Sequence, residues 1–275
     1  MASDLSFGSL FAGIGGFDLG FERAGFVCRW QVEIDDYATK ILEKHWPKVH
    51  RQRDIRECNA SNLERVDCII GGFPCQDISF AGRGAGLDGE RSGLFFEAVR
   101  LVRELRPRAV VLENVAALLN RGLDRVLGTL AEVGYDAEWH CIPASSVGAP
   151  HRRDRVWIVA HSSGERRREA GRDRPDEPAK WFAWCGEDVA DTAGIRLQGE
   201  RASGEQVGYA RSPKRQLERV CRTRGAVHWA IEPAMGRVAY GIPRRVDRLR
   251  CLGNAIVPQV AEVVARMTKD ILDGE

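Results

Sequence analysis

Val66-Asp67-Cys68-Ile69-Ile70-Gly71-Gly72-Phe73-Pro74-Cys75-Gln76 reads as a short buried strand that stops at a glycine pair and hands the chain to a proline and a cysteine. A nearly continuous apolar run of this length, bounded by turn residues, is the pattern of a parallel strand covered on both faces. Open sheets of that kind bind ligands at the carboxyl edge of their strands. Pro74 restricts the local backbone, so the Cys75 thiol is aimed at that edge. A cysteine taken alone is more often a small buried hydrophobe, and the neighbouring segments have to decide.

Toward the N-terminus, Leu5-Ser6-Phe7-Gly8-Ser9-Leu10-Phe11 is a second strand-like run, followed by Ala12-Gly13-Ile14-Gly15-Gly16-Phe17 and by apolar positions at helical spacing over 18–24. This is strand, glycine turn, helix. Such a turn lets a ligand approach the backbone closely, and the helix start offers unpaired N–H groups. A small polar ligand with a nucleoside-like body is the expected occupant. The spacing Gly13-x-Gly15-Gly16 departs from the dinucleotide fingerprint, and the turn has no basic residue to meet a pyrophosphate, which argues against a nicotinamide oxidoreductase. Residues 26–33 form the next expected strand, ending at Glu33 before Ile34 and a helix over 37–45. A carboxylate at that tip can accept both hydroxyls of a ribose. Asp54-Ile55-Arg56 is expected to end a third short strand, with Asp54 placed to meet an exocyclic amine.

Toward the C-terminus, residues 77–91 carry four glycines and few apolar side chains, the composition of a mobile loop that closes over a substrate. Ser92 is placed to cap a helix over 94–105. Ala109-Val110-Val111-Leu112 is another buried strand, ending in Glu113-Asn114-Val115. A carboxyl at that edge is partly desolvated, which raises its pKa toward neutrality. One helix is expected over 116–133, then strands over 135–143 and 156–159. Alternation through His151-Arg152-Arg153-Asp154-Arg155 puts His151, Arg153 and Arg155 on one side. An amphipathic run over 260–272 reads as a closing helix.

With 275 residues and 44% hydrophobic composition, the chain can bury one large core and a smaller lobe. No apolar run reaches the roughly 18 residues of a membrane span, and the start lacks a basic leader, so export and membrane insertion are not expected. Eight cysteines are scattered without a CxxC pair or a metal-like cluster, which fits reduced thiols in the cytoplasm and no metal. Net charge is only +2, but residues 161–244 hold 16 Lys and Arg against 12 Asp and Glu, with 25 against 27 elsewhere. A phosphate backbone or a solvated arginine-rich surface both fit that excess.

Five segments in chain order, Phe11-Ala12-Gly13-Ile14-Gly15-Gly16, Pro74-Cys75-Gln76, Glu113-Asn114-Val115, Arg153-Asp154-Arg155 and Gly253-Asn254-Ala255-Ile256-Val257-Pro258, resemble the DNA cytosine-5 methyltransferases. The resemblance implies an α/β, Rossmann-like S-adenosylmethionine-dependent methyltransferase fold with a small inserted target-recognition domain. The catalytic and cofactor-binding domain would take 1–160 plus 245–275, and the target-recognition domain 161–244. Cys75 is then the nucleophile, Glu113 the acid at the base ring, and Arg153 and Arg155 supports for a flipped cytosine. S-adenosylmethionine would be held by Phe11, Gly13, Gly15, Gly16, Phe17, Glu33, Ile34, Asp54, Ile55, Pro74, Leu94, Asn254 and Ala255. Double-stranded DNA would meet Gln76, Ser79, Arg83 and His151, the last standing where a glutamine is usual. Trp181, Trp184 and Trp229 are expected in the core of the insert, and a monomer is the expected state. An enzyme acting on transfer RNA and a catalytically silent nucleic-acid-binding relative are the alternatives. Intact Cys75, Glu113 and Arg153 argue against silence, and the arginine-bearing insert favours DNA.

Overall fold

The computed structural model of the chain describes residues 4–74, 93–162 and 245–274. Among them, seven strands form one sheet: β1 (Ser6–Leu10), β2 (Val27–Val32), β3 (His50–Gln52), β4 (Cys68–Gly72), β5 (Ala109–Val115), β6 (Tyr135–Pro143) and β7 (Asp154–Ser162). Their order is β3-β2-β1-β4-β5-β7-β6. The first five are parallel, and β7 runs antiparallel to both neighbours. Six α-helices lie among the described residues: α1 (Gly16–Arg23), α2 (Asp36–His45), α3 (Leu94–Leu105), α4 (Leu123–Glu132), α5 (Arg245–Asn254) and α6 (Pro258–Asp273). The α/β expectation therefore holds, with one reversed strand near an edge. None of these helices is long and apolar enough to cross a membrane.

The central strands are the apolar runs of the sequence, buried as a two-sided sheet requires. Cys68, Ile69 and Ile70 in β4 and Ala109 to Leu112 in β5 are all inside. Strand β4 continues through Gly71 and Gly72, two residues beyond the apolar run. Helix α6 buries Val260, Ala261, Val263, Val264 and Met267, the three-and-four spacing of a core-facing stripe. It lies so near α1 that a Cβ on Gly20 would come within 2.4 Å of the Ala261 Cβ and 2.8 Å of the Glu262 amide nitrogen. Only glycine permits that approach.

Several local expectations are corrected. The third strand ends at Gln52, and Asp54 instead caps a 3-10 turn over Ile55–Glu57 by accepting from the Arg56 amide. The helix expected over 116–133 is a 3-10 turn, Ala116–Asn120, and then α4, because Gly122 breaks the run at φ 128°. Gly93 occupies the residue before α3, where Ser92 was expected to cap. Strand β7 runs from Asp154 to Ser162, longer at both ends than the 156–159 expected, and α5 occupies a stretch with no element expected. The residues expected to form a loop over 77–91, and those expected to form the insert with its tryptophans and arginines, lie outside the described residues apart from 161 and 162.

One buried polar cluster joins α1 to the sheet. The Asp18 carboxylate has no exposure and accepts from Ser9 Oγ at 3.0 Å and Gln31 Nε2 at 2.7 Å. Arg51 Nε in turn donates to Gln31 Oε1 at 3.0 Å. Burial outweighs these bonds and pushes the Asp18 carboxyl up to about 6. Folded Asp18 thus keeps its proton at pH values where an exposed aspartate has lost it. Its contribution to stability is full below the unfolded value of 3.8 and is lost as pH rises through about 6. Asp18→Asn should flatten that part of the stability profile, which is on the order of 2–3 kcal/mol between the two limits. Melting curves at pH values from 4.5 to 7.5 test this, and parallel slopes for both proteins would contradict it.

Candidate active site

The sheet brings the Pro74 end of β4 beside an acidic strand tip. Gly72 pairs with Glu113, so the chain leaving β4 toward Phe73 and Pro74 runs alongside the Glu113 carboxylate. A Cβ on Gly72 would stand only 3.0 Å from Glu113 Oε2, so glycine leaves the carboxylate its room. Next to it, buried Asn114 donates from Nδ2 to the Phe73 carbonyl at 3.3 Å and accepts the Val115 amide at 2.8 Å. Asn114 thereby tethers the segment that leads to Pro74. Sequence reasoning gave this residue no role beyond its place in the Glu113-Asn114-Val115 segment, since its burial and its Phe73 partner follow from the fold. Cys75, Gln76, Ser79 and Arg83 lie outside the described residues.

The reversed direction of β7 completes this edge. Its N-terminal end pairs Val115 with Arg155 and Glu113 with Trp157, so residues just entering β7 reach the carboxyl end of β5. Arg155 Nε lies 3.0 Å from Glu113 Oε1. Glu113 is buried, and desolvation pushes its carboxyl up to about 7 against the opposing pull of Arg155 and Arg153. Such a group exchanges a proton at neutral pH. Glu113, Arg153 and Arg155 line one small pocket with Ile142, Trp157 and Ile256.

Arg153 does not follow the expected alternation. Its φ is 42°, in the left-handed region, and β7 begins only at Asp154. His151, Arg153 and Arg155 therefore do not form a single extended row, and His151 is exposed on the turn before the strand. From this bend Arg153 Nη2 donates to the carbonyls of Gly253 at 2.9 Å and Ala255 at 2.6 Å.

The glycine turn and the end of β2 come together as a second candidate site. Gly13 has φ +57°, and its amide donates to Glu33 Oε2 at 2.7 Å, while the Asp35 amide donates to Glu33 Oε1 at 2.8 Å. Each oxygen keeps lone-pair capacity for a hydroxyl. Burial raises the Glu33 pKa. Beside it Ile34 is 62% exposed, an apolar surface a nucleobase can cover. With no Lys or Arg in residues 11–17, this donor set fits a ribose and a base better than a pyrophosphate. S-adenosylmethionine matches that chemistry.

The remaining expected cofactor residues divide. Phe11 and Pro74 are half-buried, and Leu94 is half-buried against the core at the start of α3. Ala255 is half-buried and Asn254 exposed at the end of α5. Ile55 gives its side chain to the core, and its carbonyl accepts from the Cys58 amide and from Arg100 Nη2. The Asp54 carboxylate is held by Arg56, which keeps it below the usual carboxylate range. Phe17 is buried, packed edge-on against Trp157 with ring centroids 5.2 Å apart. It supports the site from within the core. Gly15 and Gly16 flank the start of α1, and a Cβ on Gly16 would come within 2.3 Å of the Ile256 carbonyl oxygen.

The strand order and reversed β7 define a methyltransferase fold. The solved structure of S. pombe Dnmt2 methyltransferase shares it with a TM-score of 0.57 at 16% identity, over 97% of this chain and 99% of that one. The chain belongs to the C-5 cytosine-specific DNA methylase family, which it matches over residues 5–201. It is 35% identical over 159 residues to the Type II methyltransferase M.DsaV of Dactylococcopsis salina, covering 56% of this chain and 45% of that protein. To the Type II methyltransferase M2.BsuMI of Bacillus subtilis it is 38% identical over 160 residues, 55% of this chain and 41% of the relative. The matched stretch thus spans less than half the length of either curated relative.

Proposed function

We propose that the chain transfers a methyl group from S-adenosylmethionine to C5 of a cytosine flipped out of duplex DNA, through a covalent bond between Cys75 and C6. The observation that carries this reading is the buried Glu113, poised near neutrality and paired with Arg155, beside the strand end from which Pro74-Cys75 departs. C5 of an intact cytosine ring is a weak nucleophile. Addition of the Cys75 thiolate to C6 turns C5 into an enamine carbon, and a proton delivered to N3 by Glu113 absorbs the charge that develops on the ring. As Glu113 gives up its proton, the adjacent Arg155 stabilises the carboxylate that results. S-adenosylmethionine supplies an electrophilic methyl group. Glu33 and the glycine turn orient it toward the base edge. The C5 proton passes to solvent, the Cys75 sulfur leaves as thiolate, and the N3 proton returns to Glu113, which restores the aromatic ring and the acid. Extrusion of the base costs a few kcal/mol, which contacts in the pocket offset.

A duplex carrying 5-fluorocytosine tests the covalent step, because fluorine at C5 cannot leave as a proton does. Purified protein, cofactor and such DNA are expected to give an adduct that survives denaturing electrophoresis and maps to Cys75. An adduct on transfer RNA with none on duplex DNA of random sequence would replace the substrate assigned here.

A further inference from the structure

We propose that Arg153 is a positioning residue for the cofactor rather than a direct support of the base. It acts through the link between α5 and α6. This rests on reading the glycine turn as the S-adenosylmethionine site. The two arginines of Arg153-Asp154-Arg155 do different work. Arg155 makes the ion pair with Glu113, whereas the Arg153 side chain donates to backbone carbonyls at the end of α5 and in the link that follows it.

Gly253 is in the last turn of α5, where carbonyls lack partners within the helix and a cation is favoured. Arg153 spans Asn254 by holding the carbonyl before it and the carbonyl after it, which fixes the direction in which the chain leaves α5. The next residue, Ile256, then reaches both sites. Its carbonyl oxygen lies against Gly16 at the start of α1, so closely that a Cβ there would be 2.3 Å away. Its Cδ1 lies 3.3 Å from the Cβ position of Gly72, beside Glu113. The link is thus wedged between the glycine turn and the acid, with Arg153 as the side chain that holds it. A left-handed φ at a non-glycine residue costs free energy, and at Arg153 this bend delivers the guanidinium to the link.

Calorimetric titration of the full chain with S-adenosylmethionine, beside turnover and melting temperature, separates the roles. Arg153→Ala is expected to weaken cofactor binding about tenfold, or about 1.4 kcal/mol. Arg153→Lys, which keeps the charge and a donor, should recover part of that loss and serves as the test if the alanine variant does not fold. Arg155→Ala should lose turnover while its cofactor affinity stays within about twofold of wild type. Wild-type binding with unchanged affinity in both Arg153 variants would overturn the proposal. So would an equal loss of affinity in Arg153→Ala and Arg155→Ala. Absence of cofactor binding by the wild-type chain would instead overturn the reading of the glycine turn on which the proposal stands.

Discussion

Cys75→Ala is expected to lower methyl transfer to duplex DNA by more than about 10⁴-fold while S-adenosylmethionine still binds. The size of the effect follows from the chemistry. Without a nucleophile at C6, the C5 carbon stays part of an aromatic ring and has no electron pair to offer a methyl group. The cofactor site proposed here draws on other segments, with Gly13 bonded to Glu33 and Ile34 exposed beside it, so it does not need the thiol. Incorporation of a labelled methyl group and calorimetric titration of the same preparation measure both quantities. Undiminished product from the alanine variant would refute a thiol mechanism. Loss of cofactor binding in parallel would show that the change disrupts more than the nucleophile.

Glu113→Gln should reduce kcat/KM by about 10²–10⁴-fold, the range for loss of a positioned general acid. It should also change the pH profile. In the folded protein, burial holds the Glu113 carboxyl at about 7, so its protonated, donating form prevails below that value and is lost above it. Wild-type activity limited by this group therefore declines as pH rises through about 7. Glutamine keeps a hydrogen-bond donor of similar shape but has no proton to give up. Its small residual activity should lack that alkaline decline. A glutamine variant with the wild-type profile would remove Glu113 from the proton transfer.

The sequence made the parallel half of the sheet legible because both-face burial writes continuous apolar runs, as in Cys68-Ile69-Ile70 and Ala109 to Leu112. The burial of Glu113 was legible for the same reason, because a carboxyl at the end of such a run is carried into the covered edge of the sheet. What escaped was set by backbone angles and by contacts between distant residues. Arg153 looks like one of an alternating row, and nothing in its neighbours announces a φ of 42°. Gly122 sits inside an apolar periodicity that reads as continuous, yet its φ of 128° divides the helix. Asp18 resembles an ordinary acidic residue in a first helical turn. Its burial against Ser9 and Gln31 depends on how α1 lies on the sheet. Asn114 was visible only as part of a motif, since its partner Phe73 is 41 positions away.

The close seating of α1 on α6 has a consequence for the order in which the protein is made. Gly20 and Ala261 meet across about 240 positions of chain, and Gly16 meets Ile256 across a similar span. During synthesis the parallel strands can assemble early, but α1 lacks its cover from α6 until residues 258–273 leave the ribosome. The glycine turn, although made long before α6, is therefore locked only after α6 arrives. A nascent chain would therefore carry Cys75 and Glu113 well before the start of α1 is held in place.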